Sequence, residues 1–290
     1  MSGPAAPAPD PAAAGPAPDP ASGSDPGAAV RADLTEEGRE LEVLVAGIPG
    51  ADWARPTPAP GWSVAHQIAH LAWTDRAALL ALTDPAAFAG EVGKALADPD
   101  GFVDAGAAEG ALLPPAALLD RWRTGRLALD AALAAASPAD RFPWYGPPMK
   151  AASMAGARLM ETWAHGQDLA DALGVRREPT ARLRHVARIG VRTRDYAHQV
   201  NGLPAPREEF RVELTAPTGA PAGLWTFGPP EAAQRVTGPA LDFCLLVTRR
   251  AHRADLALRA EGPDAERWLD LAQAFAGPPG PGRAPRGEGR

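Results

Sequence analysis

The hydrophobic period of this sequence changes near residue 204, so the chain cannot be one repeating layer. Up to that point apolar residues recur at spacings of three, four and seven, the repeat of a helix with one buried face. Val30, Leu34, Leu41, Leu44, Val45 and Ile48 make the first such stripe, with Glu36, Glu37, Glu40 and Glu42 on other faces. Pro49, Pro56, Pro58 and Pro60 then force an extended connection, and Gly61-Trp62-Ser63 supplies a turn and a serine N-cap for a second helix reaching about Thr83. A short helix over 86–97 follows. A third long helix opens at Pro114-Pro115, carries Leu118, Leu119, Trp122, Leu127, Leu129 and Leu133, and stops before Ser137-Pro138. The loop from Arg141 to Pro148 holds Trp144 and Tyr145 between prolines and should pack over an end of the helices. A fourth long helix runs from about Met149 to Leu173 and ends at Gly174, where a left-handed residue is expected. Helices of these lengths predict a four-helix bundle, with a fifth helix over Ala181 to Val200 attached to it.

Beyond residue 204 the alternation is that of strands: Phe210 to Thr215, Leu224 to Phe227, Gln234 to Thr237 and Asp255 to Ala260. Helices are expected from Gly238-Pro239 through about His252 and from Pro263 to Ala276. The fold class is therefore α+β in two domains, a helical bundle over 30–203 and a small domain over 204–276 with a short, mostly antiparallel sheet. Residues 1–29 and 277–290 are rich in Pro, Ala and Gly and lack the apolar surface that would offset the entropy of ordering, so both ends read as disordered tails.

Composition narrows the function. The single cysteine, Cys244, sits in an apolar run as a small buried hydrophobe and excludes both disulfide scaffolds and Cys-based zinc clusters. A net charge of −6 argues against a broad nucleic-acid-binding surface. With no long apolar span and no signal-peptide pattern, a cytoplasmic protein without membrane contact is expected, as monomer or homodimer. Arginine almost replaces lysine, which occurs only at Lys94 and Lys150, a coding bias of GC-rich bacterial genomes. Phosphate-binding loops, dinucleotide fingerprints, nucleophile elbows and His-Glu-x-x-His motifs are absent.

The histidines carry the chemistry. His66 and His70 lie four apart on the second helix and share a face, which Trp73 continues. On the fourth, Met154, Arg158, Glu161, His165 and Asp168 follow steps of four, three, four and three, again one stripe. A polar stripe turned inward is costly unless its charges are paired or ligate a cation. His70, with His66 as a further candidate, plus Glu161 and His165 form a donor set suited to zinc and related divalent ions. Asp168, one turn along, is placed to accept the other ring N–H of a ligating histidine. The same spacings also fit a purely structural bundle in which these histidines pair with Glu161 and Asp168. His185, His198 and His252, among arginines on helices that look partly exposed, are weaker ligand candidates.

The segment Pro60-Gly61-Trp62-Ser63-Val64 through His66 to Ala69-His70-Leu71, with Glu161-Thr-Trp-Ala-His165-Gly-Gln-Asp168, resembles the metal-binding N-terminal domain of mycothiol-dependent maleylpyruvate isomerase and its DinB-like relatives, here in an actinobacterial subgroup. The resemblance spans about 30–200 and implies a bundle holding a divalent metal, typically zinc, on His70, Glu161 and His165; it gives His66 no role. The segment opening with Arg235-Val-Thr-Gly-Pro-Ala-Leu-Asp242 looks like the second domain of these isomerases, and 235–258 has a fainter likeness to a tRNA wybutosine-synthesis family. The implied function is a metal-dependent isomerase or thiol transferase that uses mycothiol, the small thiol of actinobacteria, on a small electrophile. Arg158, Arg235 and Arg249 are among the arginines that could pair with substrate carboxylates. The alternatives are a metal- or thiol-binding sensor without turnover and a tRNA-modification factor, the last disfavoured by the acidic charge.

Overall fold

The computed structural model describes residues 26–277, 280 and 282–287. Among these it contains ten α-helices and one four-stranded sheet, and the described residues divide into two compact units, one up to Arg177 and one from Glu178. The division falls before the helices of 183–200, which therefore count with the sheet and not with the preceding helices as expected.

In the first unit α1 (Pro26–Ala46) begins four residues earlier than the periodicity suggests, because Pro26 suits a first helical turn. Residues 26–29, expected in the tail, are thus helical, while 1–25 lie outside the described residues. Val30, Leu41 and Val45 form its buried face. α2 (Val64–Thr83) starts at Ser63 as predicted, and α3 (Pro85–Ala97) is capped by the Asp84 carboxylate on the Ala87 N–H at 3.0 Å. α4 (Phe102–Ala111) was not foreseen: its sequence has no large apolar stripe, and it is held by close packing on α2. A β-carbon at Gly106 would stand 2.8 Å from the Trp73 ring, and one at Gly110 would stand 2.7 Å from the Ala69 side chain. α5 (Pro115–Ala135) and α6 (Ala151–Leu173) complete the unit, the latter stopped by Gly174 at φ 69°.

α1 packs on α5 and α6, and α2 on α3, α4, α5 and α6. One apolar cluster joins Leu41, Val45, Trp53, Ile68, Leu118 and Trp122; another joins Val30, Phe88, Leu129 and Met154. The proline-flanked loop closes this second cluster, Trp144 stacking on Phe88 at 5.7 Å and Tyr145 meeting it edge-on at 5.1 Å.

In the second unit the expected fifth helix is broken in two, α7 (Leu183–Arg192) and α8 (Arg194–Val200). The break is at Thr193, whose hydroxyl donates its one hydrogen among the carbonyls of Ile189, Gly190 and Gln273, the last being nearest at 2.6 Å. β1 (Phe210–Thr215), β2 (Leu224–Phe227), β3 (Gln234–Pro239) and β4 (Arg259–Glu261) lie in the order β2-β1-β3-β4. The outer pairings are antiparallel and the central β1–β3 pairing is parallel, so the sheet is mixed, with Val212 facing Val236 in register. α9 (Ala240–Val247) ends well before His252, turned off by Arg249 in the left-handed region at φ 58°. α10 (Pro263–Leu271) buries Trp268 against Phe210 and Phe243. The end of the chain, read as a fraying tail, is in its described part anchored: Gly277 N–H donates to the Tyr196 hydroxyl and Arg286 N–H to the Asp255 carboxylate. Among the described residues no helix is long and apolar enough to cross a membrane.

Candidate metal centre

The helical pitch of α2 and α6 turns His70 inward from one helix and Glu161 and His165 inward from the other. Nε2 of His70 lies 3.3 Å from Glu161 Oε2, and Nε2 of His165 lies 3.2 Å from the same oxygen. Donor atoms of all three residues fall within 4.8 Å of one another. Zinc–ligand bonds of about 2.0–2.1 Å at tetrahedral angles place neighbouring donors about 3.3–3.4 Å apart, so these separations match an edge of that polyhedron. Two imidazoles and a carboxylate are a donor set for zinc-like ions, and three protein ligands leave a position for a further ligand.

Both histidines are almost buried, at 7% and 8% exposure. Burial pushes the Glu161 carboxyl up, but the hydrogen bonds from His165 and His70 outweigh it and, with Arg158, hold it well below the ordinary carboxylate range. An ionised carboxylate between two imidazoles is the charge state a divalent cation requires. Nδ1 of His70 is buried without a hydrogen-bond partner.

Indole rings wall the cluster. Trp62 stacks on His165 with centroids 5.9 Å apart and planes at 19°, and lies 5.2 Å from His70. Its Nε1–H donates to Asp104 on α4 at 2.9 Å, which fixes the ring. Trp73 borders His70 at 5.9 Å and leans on Phe102. The apolar walls thus leave few competing polar groups beside the three donors.

The structure does not bring His66 into this cluster. Its Nδ1 lies 2.8 Å from Ser63 Oγ and 3.4 Å from the Ser63 N–H, closing the start of α2 as the reciprocal arm of a cap. Asp168 is buried further along α6, but the Nδ1 of His165 meets Gln67 Oε1 at 2.5 Å, in the place foreseen for Asp168. Gln67 was missed because an amide inside the apolar run of α2 carries no spacing signal toward a residue 98 positions away.

The arginine candidates are committed elsewhere. Arg158 is 2% exposed and bonds Asp75 at 3.1 Å and Thr74 at 2.6 Å. Burial raises the Asp75 carboxyl against the opposing pull of Arg158. Arg235 pairs with Glu213 at 2.9 Å, and Arg249 donates to the carbonyls of Leu271 and Gly280. Of the remaining histidines, His198 is buried, contrary to its sequence setting, with Nδ1 on the Arg194 carbonyl, and His252 caps a short turn at Ala254. Burial pushes the Cys244 thiol up, so it is no nucleophile.

Residues 34–170 match the Mycothiol maleylpyruvate isomerase N-terminal domain family, and residues 206–261 match the Wyosine base formation family. Uncharacterised proteins from two strains of Mycobacterium tuberculosis, CDC 1551 / Oshkosh and H37Rv, are each 57% identical over 260 residues, spanning 90% of this chain and 100% of their own length. The chain belongs to the family of these proteins and of the mycothiol maleylpyruvate isomerase N-terminal domain. A crystal structure of the mycothiol-dependent maleylpyruvate isomerase shares the fold, with a TM-score of 0.56 and 17% identity over 83% of this chain and 96% of that one. The family match spans α2 and most of α6, and so covers every donor of the cluster.

Proposed function

We propose that this member of the maleylpyruvate isomerase N-terminal-domain family is a divalent-metal enzyme, a mycothiol-dependent isomerase or thiol transferase acting on a small electrophile. The observation that carries the reading is the convergence of His70, Glu161 and His165, both Nε2 atoms standing 3.2–3.3 Å from Glu161 Oε2 and the donors of all three within 4.8 Å, although His70 and Glu161 are 91 residues apart in sequence. These three residues would hold the metal, with zinc the first candidate. When bound, such an ion lowers the pKa of a coordinated thiol and presents a thiolate at neutral pH. Trp62 and Trp73 exclude water from the donors and give the thiol's carbon skeleton an apolar wall. Glu161, held ionised, contributes one negative charge, so the loaded centre keeps net positive charge for a thiolate.

Metal analysis of protein purified without a histidine tag tests the metal; stoichiometric zinc that is lost in His70→Ala and His165→Ala supports it, and metal-free wild-type protein overturns it. Incubating the metal-loaded protein with mycothiol and a panel of electrophiles tests turnover, read as loss of free thiol or as isomerised product. Tight thiol binding without consumption of substrate would identify a sensor instead.

The match of 206–261 favours a second reading, a role in modifying an RNA base. The net charge of −6 and the buried lone Cys244 weigh against it, and tRNA binding at low salt tests it.

A further inference from the structure

Gln67 is completely buried on α2, one turn before His70, and its amide touches polar groups at both ends. Nε2 lies 2.8 Å from Thr57 Oγ1, and Oε1 lies 2.5 Å from His165 Nδ1. Thr57 in turn makes two bonds to the Trp62 carbonyl, from its N–H at 2.8 Å and its hydroxyl at 2.9 Å. The direction of this chain follows from its fixed end. A carbonyl only accepts, so the Thr57 hydroxyl spends its proton on Trp62 and must itself accept from Gln67. The amide nitrogen then faces Thr57, the amide oxygen faces His165, and that oxygen can only accept. Nδ1 of His165 therefore carries a hydrogen, and Nε2, which hydrogen-bonds Glu161 in this structure, is the atom whose lone pair a metal would take once that hydrogen is released.

We propose that Gln67 is a positioning residue that fixes His165 in its metal-binding tautomer through a relay anchored on the Trp62 main chain. The inference rests on the metal reading above and adds a residue to it. Turning the amide over would reverse the relay: Gln67 would donate to Nδ1, the hydrogen would move to Nε2, and the donor lone pair would be lost. That state sacrifices the Thr57–Trp62 hydroxyl bond, which is what biases the relay toward metal binding. The same loop carries Trp62 over the two histidines, so one short segment, 57–62, sets both the wall of the centre and the tautomer of one ligand.

The test compares the untagged full chain with Gln67→Leu, Gln67→Glu and Thr57→Val. Zinc affinity is read by chelator competition, and the His165 tautomer by side-chain 15N shifts of the metal-free protein. Removing an outer partner of a ligating histidine typically costs about 10–100-fold in metal affinity, the loss expected for Gln67→Leu. Gln67→Glu can still accept from Nδ1–H and should restore binding to wild-type strength or better. Thr57→Val, which keeps Gln67 but removes its anchor, should weaken zinc less and populate both tautomers. An Nε2–H tautomer in the wild type, wild-type zinc affinity in Gln67→Leu, or a Gln67→Glu protein as weak as Gln67→Leu would each overturn the proposal. If the wild type binds no zinc, the metal reading fails, and the relay still stands or falls on the 15N shifts.

Discussion

The two units of this chain solve burial in opposite ways. Among the described residues, every buried carboxylate and guanidinium lies in the helical unit: Glu37, Asp75, Glu91, Arg158 and Asp168, beside His70 and His165. The sheet unit buries Phe210, Val212, Leu214, Val236, Phe243 and Trp268, and its buried polar side chains are uncharged types, Gln234, Thr248 and Gln273, with His198. Its ion pairs include Arg253 with Glu266 and Asp270, whose acids are more than half exposed, and Arg211 and Arg235 with the partly exposed Glu213. Charge in a low-dielectric interior is costly and persists where partners or a function offset it. Among the described residues, buried charge is thus concentrated in the helical unit, beside the candidate metal centre.

The sharpest way to break this contrast is at the donors. His165→Ala should abolish stoichiometric metal binding and any metal-dependent turnover, measured by elemental analysis and thiol consumption. Stripping the metal with a chelator should in turn raise amide hydrogen exchange in α2 and α6 while leaving β1 and β3 unchanged, since a ligand present at 100 times its dissociation constant stabilises the state it binds by about 2.7 kcal/mol.

A second test is the buried pair. Arg158→Met leaves Asp75 without its cation and should cost about 3–5 kcal/mol in urea unfolding, whereas Asp75→Leu with Arg158→Met should recover most of that loss. In the sheet unit Leu214→Ala should cost about 2–5 kcal/mol through cavity formation, with metal content untouched.

The smallest effect is at the rim of the helical unit, where Glu42 joins Arg123 and Arg126 of α5 to α1. Burial raises this carboxyl, but the two guanidiniums outweigh it and hold its pKa below 4.5. A carboxyl depressed in the folded state stabilises above its unfolded pKa, and that contribution disappears as pH falls through the folded value. Glu42→Gln should thus cost about 0.5–1 kcal/mol at pH 7 and nothing in strong acid, as followed by thermal unfolding across pH.

What the sequence revealed was set by how far apart the interacting residues are. The stripes of α2, α5 and α6 and the alternation of β1 to β3 are local patterns legible to within about two residues, as at Ser63 and Gly174, whereas α1 starts four residues before its stripe. α4 escaped because Gly106 and Gly110 make it a helix only by letting α2 approach, a contact no local pattern encodes. The break at Thr193 depends on the Gln273 carbonyl 80 residues later. In the candidate site, steps of three and four nominated His70, Glu161 and His165, which the fold brings together. The same stepping rule nominates Asp168 as partner of a ligating histidine's ring N–H, yet at His165 a buried amide on another helix meets Nδ1, and His66 serves the end of its own helix.

The mixed sheet has a consequence for association. Its two outermost strands, β2 and β4, are four and three residues long, and β4 displays Arg259 and Glu261 to solvent. Open backbone at such borders is a template for another chain, but so short a ladder, flanked by charge, offers a neighbour few amides to grip. At high concentration this half of the molecule should resist fibril growth by strand addition, and any self-association should proceed through side-chain surfaces.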